Sequence, residues 1–243
     1  MARTPRCLVD DLHVEPLALS RQSVHHLERV LRLRPGDDVE LIDGNGGLAR
    51  ARWQAGGTLS HLQREPPTPR PIGGPRLFAA APKGARLDGM VEKAVELGAL
   101  ELRLLCTRYS GPLPGDARWE RMRRKADEAL LQCRGLHRLE LGAPIELSSL
   151  LASSEPKTTW YGSAPRDAGT TGAVIYGEFS DKAPLELLIG PEGGWAPEEL
   201  ASLKAAGARP ISLGQRVLRV ETAALALLTL AAACSGAPDP GAS

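Results

Sequence analysis

The spacing of apolar residues divides the chain into an N-terminal part of short strands and a C-terminal part where strands and helices alternate. A helix over Gln22 to Leu31 is followed by three β-like runs, Asp38 to Ile42, Leu48 to Trp53 and Thr58 to Arg64. Turn signals separate them: Arg34-Pro35-Gly36-Asp37, Asp43-Gly44-Asn45-Gly46-Gly47 and Ala55-Gly56-Gly57. In Leu48-Ala49-Arg50-Ala51-Arg52-Trp53, apolar and basic residues roughly alternate, as on a half-exposed strand. Short strands at this spacing predict a small β-barrel. Pro66 to Pro75 is too rich in proline and glycine to continue a helix or an interior strand. It reads as a linker between a first domain, residues 1–72, and a second, residues 73–243.

The second domain opens with a strand, Leu77 to Ala81. A helix over Arg86 to Leu97 follows, with Leu87, Met90, Val91, Ala94 and Leu97 as its apolar stripe and Gly98 as its stop. Then come a strand, Glu101 to Cys106, and an amphipathic helix, Arg118 to Cys133, that buries Trp119, Met122, Ala126, Ala129, Leu130 and Cys133. Further strands read at Thr158 to Tyr161, Leu185 to Ile189 and Ile211 to Leu213. Pro197-Glu198-Glu199 suits a helix first turn, because proline fits that position and acids complement the positive helix end. The last helix, Thr222 to Cys234, is apolar nearly all round, so it has to be covered on several sides, in the core and by a partner subunit. Ser235 to Ser243 reads as a disordered tail. The alternation predicts an α/β fold around a mainly parallel sheet.

With 243 residues, 42% hydrophobic and 24% charged, the composition is that of an ordinary globular chain. No apolar stretch follows the N-terminus to suggest a signal peptide, and the run Ala223 to Cys234 falls short of the ~20 residues that span a bilayer. A cytoplasmic protein is expected. The four cysteines are scattered, which suits free thiols, and the five histidines lack a zinc-binding spacing, so no metal is expected.

The net charge is only +1, but the positive charge is clustered. Arg21, His25, His26, Arg29, Arg32 and Arg34 face one acid, Glu28. Arg118, Arg121, Arg123, Arg124, Lys125, Arg134 and Arg138 face Glu120, Asp127 and Glu128. Each cluster fits either a solvated helix face or a footprint for a phosphate backbone.

The chemistry concentrates where two strands end in glycine turns. Leu185 to Ile189 runs into Gly190-Pro191-Glu192-Gly193-Gly194, and Ile211 to Leu213 runs into Gly214. Open α/β sheets bind ligands at the carboxyl ends of their strands, and glycine lets backbone come close to a ligand. Glu192, Glu198 and Glu199 crowd the first turn, which disfavours a nucleotide phosphate and suits a neutral or cationic ligand such as S-adenosylmethionine. A plain tight turn remains the alternative.

These motifs carry a resemblance. LLIGPEGGWAPEEL followed by SLGQRVLRVETAALALL resembles the signature of the RsmE-type family in the SPOUT superfamily, which methylates N3 of a uridine in small-subunit ribosomal RNA. Lys83-Gly84 with Val91 to Gly98, Gln132-Cys133, His26 to Leu33 and Asp43 to Gly47 resemble further family segments, in the family's order. The resemblance implies a SPOUT α/β domain with a trefoil knot, a PUA-like barrel that holds RNA, S-adenosylmethionine as methyl donor, and a homodimer. The chain departs from the family at Arg134-Gly135-Leu136-His137-Arg138-Leu139, where an arginine and a proline are usual. Arg134 or Arg138 is left to take that arginine's place, and no polar family residue can be placed between Tyr161 and Arg166.

The resemblance puts the cofactor against Ile189, Gly190, Pro191, Gly194, Leu213, Gly214, Leu218, Thr222 and Ala223. A uridine N3 must lose its proton before it attacks, which spreads negative charge onto O2 and O4, and a fixed cation would stabilise that anion. Arg219 is the candidate cation and Glu221 the candidate proton acceptor, while Thr222 is placed to cap the last helix. An Arg219–Glu221 ion pair anchoring the helix start is the structural alternative. Arg29, Arg32 and Lys83 are candidate RNA contacts. A SPOUT enzyme with another RNA target, or a non-catalytic ribosome-assembly factor that binds RNA, remains as an alternative function.

Overall fold

The computed structural model describes residues 4–153, 157–164, 170–171 and 184–234, which fall into two units. The first holds residues 4–70 together with 130–138, and the second holds the remaining described residues. The tail from Ser235 lies outside them.

In the first unit, β1 (Arg6–Leu8) pairs in parallel with β2 (Asp38–Ile42), and β3 (Leu48–Trp53) and β4 (Leu59–Arg64) extend the sheet antiparallel. β3 alternates as its sequence predicts, with Ala49, Ala51 and Trp53 buried and Arg50 and Arg52 exposed. Leu27, Val39, Leu41, Ala49, Ala51 and Trp53 form the core. The predicted helix over Gln22 to Leu31 is shorter and wider. It is α1 (Arg21–His25) followed by a π-helical turn, His26–Val30, in which Leu31 N–H reaches His26 O. Only Leu27 in this segment is buried, so one anchor holds it rather than a full stripe.

Glu40 is buried in this unit and held by arginines. Arg6 Nη2 lies 2.9 Å from Glu40 Oε2, and Arg134 pairs with the same oxygen. Arg6 also donates to Gly135 O at 3.3 Å, and Arg134 to Thr4 O at 3.3 Å. A buried carboxylate needs such neutralisation, and these bonds fasten residues 134–135 to the sheet.

The second unit is built on β5 (Gly74–Ala79), α2 (Ala85–Glu96), β6 (Glu101–Cys106), α3 (Asp116–Cys133, of which residues 130–133 count with the first unit), β7 (Glu140–Leu141), β8 (Ile145–Glu146), α4 (Leu147–Leu151), β9 (Thr158–Gly162), β10 (Thr170–Thr171), β11 (Pro184–Ile189), α5 (Pro197–Ala205), β12 (Arg209–Ser212) and α6 (Val220–Cys234). The sheet order is β10-β12-β9-β11-β5-β6-β7, with β8 also on β6, and every pairing is parallel. Leu185 to Ile189 of the central strand β11 are all buried, which suits the apolar Leu185, Leu187, Leu188 and Ile189, and the one charge among them, Glu186, is paired with Lys157 Nζ at 3.1 Å. Phe78, Tyr161 and Leu188 pack with Leu147 and Leu150 of α4 and Leu203 of α5.

β5 begins inside the predicted linker, because Gly74 and Pro75 align with Pro184 and Leu185 of β11. Pro75 has no N–H to donate, but its carbonyl accepts the Leu100 N–H at 2.9 Å. β12 starts two residues earlier than expected and leaves Leu213 in the following loop. β1, β7, β8, α4 and β10 were not legible, being too short to show a period. In α6, Val220, Ala224, Leu227, Leu228 and Ala231 form the buried stripe, whereas Leu225, Ala226 and Leu230 are half-buried and Thr229 is exposed. Within one chain, this apolar helix is therefore covered along one face only.

Candidate active site

The ends of β9 and β11 and the loop after β12 enclose a cavity of about 330 Å³. Its walls are Gly162 to Ala164, Ile189 to Trp195, and Leu213, Gly214 and Arg216 to Leu218, with Leu200, Val220 and Ala223 behind them. This is the carboxyl edge of the parallel sheet, where such folds take ligands. The size falls within the range of small-molecule pockets, ~300–1,000 Å³.

The first glycine turn is closed by Gly194 N–H on Pro191 O at 2.9 Å. Gly194 (φ +79°) and Gly214 (φ +125°) adopt backbone conformations that disfavour other residues, and a Cβ on either would meet no protein atom within 4 Å. The space beside them is open. A Cβ on Gly190, in contrast, would stand 2.9 Å from the Trp195 ring. Trp195 Nε1 donates to Gly162 O at 2.8 Å, and its ring meets Tyr161 edge-on with centroids 6.1 Å apart. The indole thus ties the end of β9 to the turn after β11.

Eight of the nine residues expected to hold a cofactor line the cavity: Ile189, Gly190, Pro191, Gly194, Leu213, Gly214, Leu218 and Ala223. Thr222 does not. α6 starts at Val220, so Thr222 lies exposed inside its first turn and is not the cap. Of the three acids expected around the first turn, only Glu192 lines the cavity. Glu199 Oε2 accepts the Ala196 N–H at 2.8 Å, and Glu198 is exposed on α5.

The Arg219–Glu221 ion pair, the structural alternative for these two residues, is not formed. Arg219 is exposed and outside the cavity wall. Glu221 Oε1 lies 3.8 Å from Arg86 Nη1, which stands 3.9 Å from Glu192 Oε1 as well. Arg86 therefore links the turn after β11 to the start of α6. Glu221 Oε2 is buried with no hydrogen-bond partner. So is Ser163 Oγ, on the cavity wall at the end of β9. Buried polar atoms left without partners are costly, and a ligand in the cavity offers Ser163 one.

Sequence reasoning missed Trp195, Ser163, Arg86 and Arg216. Trp195 sat in the quoted motif but carried no distinguishing chemistry there. Arg216 lines the cavity, is exposed, and has no ion-pair partner among the described residues, at the place where Arg219 was expected to act. Neither Cys7, buried, nor Cys106, half-buried, is a nucleophile candidate: desolvation pushes Cys7 up to about 11 and also raises Cys106.

Residues 71–232 match the model of the RNA methyltransferase domain, and residues 19–55 match that of the RNA methyltransferase PUA domain. The chain is 31% identical to ribosomal RNA small subunit methyltransferase E of Synechocystis, over 85% of this chain and 69% of that protein. The chain belongs to this methyltransferase family. Against the Mycobacterium bovis member the identity is 30%, over 84% of this chain and 80% of the relative. The Neisseria gonorrhoeae member, solved bound to S-adenosyl methionine, superposes with a TM-score of 0.77 at 25% identity, covering 93% of this chain and 95% of that one.

The family's cofactor fits the cavity on this chain's own features: backbone walls free of side chains at Gly194 and Gly214, and an unpartnered hydroxyl on Ser163. Among the described residues no cluster of three or more His, Cys, Asp or Glu side chains is placed to hold a metal, and no helix is long and apolar enough to cross a membrane.

The candidate RNA contacts Arg29 and Arg32 are exposed in the first unit, and Lys83 is exposed in the second; none has an ion-pair partner among the described residues. Lys93, in a segment that resembles the family, donates to Glu96 at 2.7 Å and Glu92 at 3.0 Å, and these bonds raise its pKa. It is a surface ion-pair residue. Arg134 and Arg138, the two candidates for the displaced family arginine, are both engaged: Arg134 by Glu40, and Arg138 by donating to Asp43 O at 3.2 Å.

Proposed function

We propose that the chain transfers the methyl group of S-adenosylmethionine to N3 of a specific uridine in small-subunit ribosomal RNA. The observation that carries this is the cavity at the carboxyl edge of the sheet, walled by backbone in a chain that belongs to the RNA methyltransferase family. When bound, the cofactor supplies an electrophilic methyl group on a sulfonium. The apolar and backbone walls at Ile189, Gly190, Gly194, Leu213, Gly214 and Leu218 suit its uncharged parts. Holding donor and acceptor in line contributes several kcal/mol through proximity, about as much as well-placed intramolecular reactions gain.

The residues of the loop after β12 act on the uridine. As N3 loses its proton, O2 and O4 gain negative charge, and a guanidinium on this loop stabilises them. Arg219 is unpaired and free to reach an entering nucleotide, and Arg216 stands on the cavity wall itself. Glu221 is the proposed proton acceptor, supported by its unpartnered buried oxygen beside the cavity residue Val220. Arg86, within 4 Å of the same carboxylate, orients it. Arg29, Arg32 and Lys83 neutralise RNA phosphates.

The protein acts as a homodimer in the cytoplasm on this reading, since α6 presents Leu225, Ala226 and Leu230 incompletely covered. The trefoil knot belongs to the same reading: β12 enters the sheet between β9 and β10, and the chain then returns as α6.

The test is mass mapping of small-subunit ribosomal RNA from a strain lacking the gene, with methylation restored in vitro by the purified protein. Loss and restoration of one N3-methyluridine supports the reading; an unchanged methylation map with no transfer in vitro ends it. Arg216→Ala and Arg219→Ala distinguish the two cations: the one that binds the developing anion should lower kcat by about 100-fold or more, as oxyanion donors do. If neither does, the electrostatic role of this loop is wrong.

A further inference from the structure

The turn after β6, residues 107–110, is fastened to the glycine turn that lines the cavity. Glu199 makes the joint: Oε1 accepts the Arg108 N–H at 2.8 Å, while Oε2 accepts the Ala196 N–H at 2.8 Å. Ser110 Oγ stiffens the turn from inside, accepting the Thr107 N–H at 3.1 Å and donating to Leu105 O at 3.1 Å. Tyr109 is carried between these two anchors. Its Cβ lies 3.1 Å from where a Cβ on Gly193 would stand, and Gly193 is part of the cavity wall.

Despite that packing, Tyr109 is 53% exposed. Aromatic residues make up only 4% of the chain, and among the described ones Tyr109 alone is exposed. Charged and apolar groups border the same cavity. Among the described residues the Arg108 and Arg216 guanidiniums have no partner, and Arg216 and Val217, the latter 79% exposed, line the cavity with Gly193. A lone exposed ring is common on protein surfaces. One held rigid beside a ligand cavity, with Arg108 next to it in the chain and Arg216 on the cavity wall, is suited to single-stranded nucleic acid. Every base offers a π-face to stack on, and arginines neutralise the phosphates on either side. A protein partner would call for a wider apolar patch than this.

We infer that Tyr109 is a stacking platform for an unpaired base of the RNA next to the nucleotide that is methylated, with Arg108 contacting a neighbouring phosphate. This rests on the RNA methyltransferase reading above. Stacking there would hold the target strand open and keep the modified nucleotide out of its own helix, so the ring governs RNA binding and not cofactor binding.

Tyr109→Ala and Tyr109→Phe are compared with the unaltered protein. Four quantities are measured: S-adenosylmethionine affinity by calorimetry, kcat and KM for methylation of small-subunit RNA, and the fluorescence of an RNA fragment carrying 2-aminopurine beside the methylated nucleotide. Stacking predicts that Tyr109→Ala raises KM about tenfold, leaves cofactor affinity within about twofold, and abolishes the quenching that the unaltered protein produces. Tyr109→Phe should keep both KM and quenching, since the ring is retained. Unchanged KM and quenching in Tyr109→Ala overturn the inference, as does a raised KM with quenching intact, or a phenylalanine variant as impaired as the alanine one. If the unaltered protein binds the cofactor but methylates no RNA, the functional reading falls and takes this inference with it.

Discussion

Two arginine-rich stretches look alike in the sequence and differ in the structure. In the stretch from 118 to 138, Arg118 Nη2 lies 3.1 Å from Asp88 Oδ1, and Arg121 Nε lies 2.8 Å from Asp88 Oδ2. Lys125 is paired with Glu128, with Arg124 close to the same carboxylate. Arg134 is paired with Glu40, and Arg138 donates to Asp43 O. Among the described residues, only Arg123 of this stretch is left without a partner. In the stretch from 21 to 34, Arg21, Arg29, Arg32 and Arg34 are all exposed and their guanidiniums unpaired among the described residues, while the one acid, Glu28, accepts the Gly56 N–H at 3.2 Å. Positive charge on its own does not make an RNA footprint. The first stretch fastens elements together, and the second is free to meet phosphate.

Substitutions that remove one or the other sharpen this contrast. The largest effect is expected at Glu40, whose loss strands Arg6 and Arg134 in a buried site: Glu40→Ala should destabilise the fold by about 3–5 kcal/mol, read by urea denaturation. A change under about 1 kcal/mol would show that this cluster does not hold the first unit together. Asp88→Ala should cost less, roughly 1–3 kcal/mol, because Arg118 and Arg121 are partly exposed and can turn to water. In the free stretch the effects reverse. Arg29→Ala combined with Arg32→Ala should leave stability within about 0.5 kcal/mol. It should weaken RNA binding by about tenfold and flatten the salt dependence of affinity by roughly one to two phosphate contacts. An unchanged salt slope would mean that these arginines do not face RNA. The smallest effect belongs to Arg124→Ala, an exposed pair, with under about 0.5 kcal/mol of stability and no change in RNA affinity. A marked loss of RNA binding there would break the comparison.

Much of the fold was legible because its signals are local. The strands Asp38–Ile42, Leu48–Trp53 and Glu101–Cys106 follow from apolar period and turn chemistry. The helix starting at Pro197 follows from proline and acids in its first turn. The π-helical turn after His25 and the early start of α6 were not legible, because hydrogen-bond register at a helix end depends on what packs against it.

The cavity was legible in outline for the same reason: glycine turns after apolar strands mark where backbone can approach a ligand. Trp195, Ser163 and Arg216 show what that reading lacked. Whether Ser163 Oγ has a partner, or which of Arg216 and Arg219 borders the cavity, depends on residues that approach from β9, β11 and the loop after β12 together.

The sequence alone determined the order of elements, the glycine turns at the strand ends and the family to which the chain belongs. These are written in neighbouring residues, where period, turn chemistry and motif act within a few positions. Only the tertiary structure decided which arginines are free, what closes the cavity and which carboxylate oxygen is left without a hydrogen-bond partner. Each of those depends on groups far apart in the chain, such as Glu40 and Arg134, separated by 94 positions, and pairing between distant charges leaves no mark in local sequence.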